Sequence, residues 1–132
     1  MVGCVSYHQR LFFSFNEVKT MDEFYTIEET LQEEEMTQVN VSVNPEHVIY
    51  KAHFPEYPIT PGAILVGMAA DLASSELGID RDLSEVKNVK FLVPHLPQEH
   101  PHLSFRMKLG ESSADVVIAD GEITFSKMTL VF

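Results

Sequence analysis

The segment from Pro61 to Gly78, PGAILVGMAADLASSELG, constrains this chain more than any other. Thr60 suits an N-cap, Pro61 suits a first helical position, where its missing N–H costs nothing, and Gly78 after Leu77 is a C-terminal stop. Between them AILVGMAADLASSEL is apolar around most of its circumference, which predicts a helix buried on every side. A chain of 132 residues holds one domain with a real core, so everything outside this helix has to enclose it.

The enclosing material reads as strands. FYTIEETLQEEEMTQVNVSV, from Phe24 to Val43, contains two β-like runs around a polar centre, and Val39, Val41 and Val43 alternate with Asn40 and Ser42. Glu33, Glu34 and Glu35 between the runs are a solvated hairpin turn, and NPEH is a further turn by composition. After the helix come VKNVKFLVP, LSFRMKLGE, ADVVIA and EITFSKMTLVF, joined in part by the proline-rich loop PHLPQEHPH. In the last run Ile123, Phe125, Met128, Leu130 and Phe132 shift phase between Phe125 and Met128, which predicts a bulge. One long helix among about five or six antiparallel strands predicts an α+β domain of the hot-dog type, its sheet curled around the helix. Such a sheet leaves an edge strand without obvious cover, and edge pairing between two copies predicts a homodimer.

Residues 21–132 carry this pattern as a single domain. The preceding 1–20, MVGCVSYHQRLFFSFNEVKT, contain a short apolar run, but the basic residue is misplaced and no small-residue cleavage site follows, which excludes a signal peptide. They are either an N-terminal strand or arm packed on the body or an extension upstream of a true start at Met21. The second is preferred because regular patterning begins directly after Met21.

Composition narrows the partners. Apolar residues make up 45% and charged residues 22%, ordinary for a globular chain. A formal net charge of -11 repels phosphate backbones and anionic lipid, so nucleic acid and membrane surfaces are poor partners and a small molecule or a protein is favoured. The single cysteine, Cys4, forms no internal disulfide, so a reducing cytoplasm is the expected setting.

The stretch HFPEYPITPGAILV, from His53 to Val66, resembles the signature of the β-hydroxyacyl-acyl-carrier-protein dehydratase family, H-F-P-x-x-P-x-x-P-G followed by apolar residues. The histidine, the phenylalanine, all three prolines and the glycine stand at matching spacings, and VKNVKFLVPHLP is similar to the family's segment after the helix. The resemblance implies a hot-dog enzyme of fatty acid, lipid or polyketide synthesis that dehydrates 3-hydroxyacyl thioesters on acyl carrier protein. It implies no cofactor beyond the phosphopantetheine or coenzyme A that carries the substrate, and no metal. His53 would handle the proton beside the carbonyl, and the Gly62 N–H at the helix start would polarise that carbonyl. Phe54, Tyr57 and Pro61 would border the acyl tunnel; ordinary packing is the bland alternative for the two aromatics.

One position departs from the family. The catalytic carboxylate expected five residues after the motif glycine is replaced by Gly67, whose cost of about 1 kcal/mol relative to alanine admits either close helix packing or a widened tunnel. Asp71, one turn later and roughly 6 Å along the axis, is the candidate substitute; the alternative is the structural role of the residue the family usually has there. Three functions follow: a dehydratase-like enzyme using His53 and Asp71, a non-catalytic acyl-thioester-binding subunit, and, third, a thioesterase in which Asp71 activates water. Acyl carrier proteins are acidic, so docking requires Lys51, Lys87, Lys90, Arg106 and Lys108 to gather on one face. His95, His100 and His102 in PHLPQEHPH fit no standard metal spacing and read as solvent-facing loop residues.

Overall fold

The computed structural model describes residues 4–6, 24–52 and 58–132, with 4–6, 51 and 52 described by backbone alone. Seven strands form one antiparallel sheet: β1 (Cys4–Ser6), β2 (Tyr25–Glu33), β3 (Met36–Val43), β4 (Glu85–Phe91), β5 (His102–Leu109), β6 (Ser113–Asp120) and β7 (Ile123–Val131). Their spatial order is β1-β4-β7-β6-β5-β3-β2. Six are long, and the three-residue β1 pairs with Glu85–Lys87 on the outer edge of β4. The nine-residue β2 forms the other edge, so among the described residues an edge strand without a strand beside it is present as expected.

The helix α2 (Gly62–Leu77) lies on one face of the sheet. Its Ile64, Leu65, Met68, Ala69, Leu72 and Ala73 are buried in one core with Val41, Leu103, Phe105, Met107, Val116, Ile118 and Leu130 of the strands. Each fully buried aliphatic side chain of this kind contributes about 1.5–3 kcal/mol relative to exposure. This is the hot-dog architecture, and the alternating burial of Val39, Val41 and Val43 follows the expected period. The β2–β3 turn falls at Glu34, with φ of 47°, inside the acidic cluster.

Four local expectations need correction. Pro61 is the N-cap and Gly62 the first helical residue, while the Thr60 side chain is engaged elsewhere and caps nothing. The helix is enclosed all round over Ile64–Ala70 only, where seven successive residues are buried; Ala63, Asp71 and Ser75 are exposed. A second, short helix α1 (Val48–Ala52) follows the NPEH turn, where Asn44 Oδ1 accepts the Glu46 N–H and His47 Nδ1 accepts the Ile49 N–H. Finally, the bulge of β7 sits at Phe125 itself, since Thr124 pairs with Ala119 and Ser126 with Ile118. Gly78 ends α2 as expected, with φ of 66° in the left-handed region.

Candidate active site

His53, Phe54 and Tyr57, the first members of the motif, lie outside the described residues. The structure picks the chain up at Pro58 and carries it through Thr60 and Pro61 into the start of α2. There the Pro61 carbonyl accepts the Ile64 and Leu65 N–H groups at 3.0 and 3.2 Å. The Phe91 ring lies against Gly62 so closely that a Cβ at that position would stand 2.7 Å from the ring's Cζ. Contact with this ring favours glycine here, with no demand on backbone conformation.

Thr60 and His95, 35 residues apart, hold this region in place. The Thr60 N–H donates to the His95 carbonyl at 2.9 Å, and Thr60 Oγ1 lies 2.6 Å from His95 Nδ1 and 2.7 Å from the Tyr50 hydroxyl. His95 Nε2 faces the His100 carbonyl at 2.7 Å. A carbonyl only accepts, so Nε2 carries the proton, and in the neutral ring Nδ1 accepts. Thr60 therefore donates to His95, and Tyr50 donates to Thr60. Every member of this chain is satisfied in one direction of donation. Burial drives the His95 imidazole below its ordinary pKa, against a smaller upward pull from the His100 carbonyl, and burial raises the Tyr50 phenol.

The bulge in β7 ties the rest together. The Phe125 ring packs edge-on against His95 and His100, with centroid separations of 5.1 and 5.3 Å. Its carbonyl accepts the N–H groups of Leu92 and Val93 at 2.8 and 3.3 Å, fixing the turn directly after Phe91. His100 Nδ1 in turn meets Asp120 Oδ2 at 2.8 Å. The reading of three solvent-facing histidines is thus corrected: His95 is buried, His100 is half-buried and paired, and only His102 stands exposed. Sequence spacing carried no signal for the burial of His95, because Thr60, which bonds its Nδ1, lies 35 residues away and Phe125, which packs on its ring, lies on another strand.

The remaining candidates lie apart from this cluster. Gly67 is buried in the middle of α2. Asp71 is exposed and borders a groove with Ser74, Asp80, Arg81 and Asp82, contrary to the expected burial of that carboxylate. Nine residues separate it from Gly62, about 13 Å of helix rise. Among the described residues no group of histidine, cysteine and carboxylate side chains is arranged to hold a metal ion, and no helix is long and apolar enough to cross a membrane.

The outer face of the sheet carries basic residues in two adjacent rows. Lys90, Lys127, Val117 and Arg106 stand opposite one another across β4, β7, β6 and β5, and Lys87, Thr129, Asp115 and Lys108 form the next row. Directly paired residues share a face. Lys87, Lys90, Arg106 and Lys108 thus gather as expected, joined by Lys127; the side chain of Lys51 lies outside the described set. Lys87 is partly offset by Glu85 at 3.6 Å.

Comparison with known proteins gives a consistent result. A family model described as ApeI-like, ApeI dehydratase, matches residues 28–127. The chain is similar to the dehydratase heterocomplex ApeI:P from Xenorhabdus doucetiae, with TM-score 0.68 and 18% identity over 80% of this chain and 95% of that one. It is also similar to an uncharacterized protein from Erwinia carotovora subsp. atroseptica, with TM-score 0.55 and 21% identity over 80% and 90% of the two chains. A protein classed as a thioesterase from Lactococcus lactis gives TM-score 0.54 and 16% identity over 84% and 91%. No curated protein sequence matches the chain.

Proposed function

The chain belongs to the ApeI-like dehydratase family, and from that premise we propose that it acts on 3-hydroxyacyl thioesters presented by acyl carrier protein. The observation that carries this reading is the start of α2, where the Thr60–His95 clamp fixes the backbone leading into Gly62, the Phe91 ring packs against that glycine, and the motif histidine precedes it by nine residues. In this reading His53 removes the proton from C2, the Gly62 N–H polarises the thioester carbonyl, the C3–O bond breaks, and the hydroxyl leaves as water after gaining a proton. Phe54, Tyr57 and Pro61 border the acyl group. The substrate rides on phosphopantetheine or coenzyme A, and the reading requires neither a metal nor a further cofactor.

The second proton carrier decides between enzyme and binding subunit. Gly67 supplies no side chain. Asp71, exposed and about 13 Å along the helix from Gly62, is better placed to serve a neighbouring subunit's site than its own. A homodimer would bring such a carboxylate across. The second reading, a subunit that binds acyl thioesters while another chain supplies the acid, is favoured by Gly67 and by the heterocomplex formed by the Xenorhabdus relative. Carrier docking on the outer-face lysines fits the acidic character of carrier proteins.

The deciding experiment incubates the purified protein with 3-hydroxyacyl and trans-2-enoyl carrier-protein substrates and scores dehydration, hydration and free acid. Activity lost in His53→Ala and impaired in Asp71→Asn supports the enzyme with Asp71 as acid, whereas full activity in Asp71→Asn excludes that role. Thioester binding without turnover, with dehydration gained in Gly67→Glu, supports the binding subunit. Release of free acid instead identifies a thioesterase.

A further inference from the structure

Ser126 is fully buried, and among the described residues its hydroxyl is the buried side-chain oxygen that finds no hydrogen-bond partner. The contrast with Tyr50, Thr60 and His95, which are equally enclosed and all bonded, marks it out. An orphaned buried hydroxyl costs free energy that an alanine would not, so its presence calls for a reason.

Register gives its direction. Ser126 pairs with Phe91 of β4 on one side and with Ile118 of β6 on the other. Residues directly opposite one another point to the same face. The face of Phe91 is fixed by its ring against Gly62, so Ser126 points to the helix-bearing side, one strand in from that ring. Its row neighbours are apolar, and Phe125 before it is occupied with the two histidines. Two polar elements therefore face the same corner: the N-terminal end of α2 and the Ser126 hydroxyl.

We propose that Ser126 is a specificity-determining residue, its hydroxyl hydrogen-bonding the 3-hydroxyl of an acyl thioester bound at the start of α2. The inference rests on the thioester reading of that site and adds to it a residue outside the motif. With the carbonyl directed to the Gly62 N–H, the only other oxygen on such an acyl chain is the hydroxyl two carbons beyond, and the described surroundings of Ser126 offer it no other polar partner. A saturated or 2-enoyl chain lacks that oxygen and leaves Ser126 unpaired. Binding then discriminates between 3-hydroxyacyl groups and both of those chains.

The test compares wild type and Ser126→Ala by calorimetric titration with 3-hydroxyacyl-pantetheine and saturated acyl-pantetheine of equal length, alongside urea unfolding of the free proteins. Wild type should prefer the hydroxylated ligand by about tenfold. Ser126→Ala should lose that preference, bind the saturated ligand as wild type does, and unfold at a higher urea concentration. A preference retained in Ser126→Ala overturns the inference, as does an unfolding midpoint that falls. Failure of wild type to bind either ligand overturns the thioester reading itself, and with it this role for Ser126.

Discussion

His95 shows how one side chain can carry both architecture and pH response. Replacing it by alanine leaves the Thr60 hydroxyl proton without an acceptor in the interior and frees the His100 carbonyl, which should cost about 2–4 kcal/mol in urea unfolding. Its folded pKa lies below the ordinary 6.5, so the unfolded chain binds the extra proton. The His95 contribution is therefore complete above about pH 6.5 and declines as pH falls below that value toward the folded pKa. Unfolding midpoints measured from pH 7.5 to 5 should drop, and His95→Gln should flatten the drop. At Gly62 the relevant quantity is contact: Gly62→Ala forces the Phe91 ring aside and should cost about 1 kcal/mol. Adding Phe91→Ala should abolish that penalty in a double-mutant cycle. The glycine was legible from the motif, but Phe91 as the reason for it was not, since the ring arrives from a strand 29 residues later.

Elements with a local cause were the legible ones. Val39, Val41 and Val43 announce a strand through their own alternation, and Gly78 announces the end of α2 because only the left-handed region closes that helix without strain. Gly78→Ala should accordingly destabilise by about 1 kcal/mol in thermal or urea unfolding. The helix start was misjudged by one residue for a tertiary reason: Thr60 has an N-cap's chemistry, but Tyr50 and His95 claim its hydroxyl. Asp71 was misjudged by the same mechanism in reverse. Apolar neighbours along the sequence suggested burial, while the full enclosure of α2 ends at Ala70 and leaves Asp71 exposed.

At the level of the whole molecule, Phe91, Leu92 and Val93 form three successive exposed apolar residues, at 39%, 51% and 43% exposure, beside the start of α2. A second subunit packed there would cover them. Leu92→Glu should shift an assembled species toward monomer in sedimentation while leaving the circular dichroism of the sheet unchanged. The bulge at Phe125 also has a consequence for how this chain tolerates length change. It sets the parity of everything after it: Ser126, Met128 and Leu130 face inward and Lys127 and Thr129 outward only because one residue is counted out of the ladder. Deleting Phe125 with a regular strand in its place would remove two histidine contacts and the anchor for Leu92 and Val93 together, and should prevent folding to a soluble product. Gain or loss of a single residue elsewhere in β7 instead asks the strand to invert, presenting lysine and threonine to the core. The terminal strand thus behaves like a message with one reading frame, and Phe125 is its frame marker.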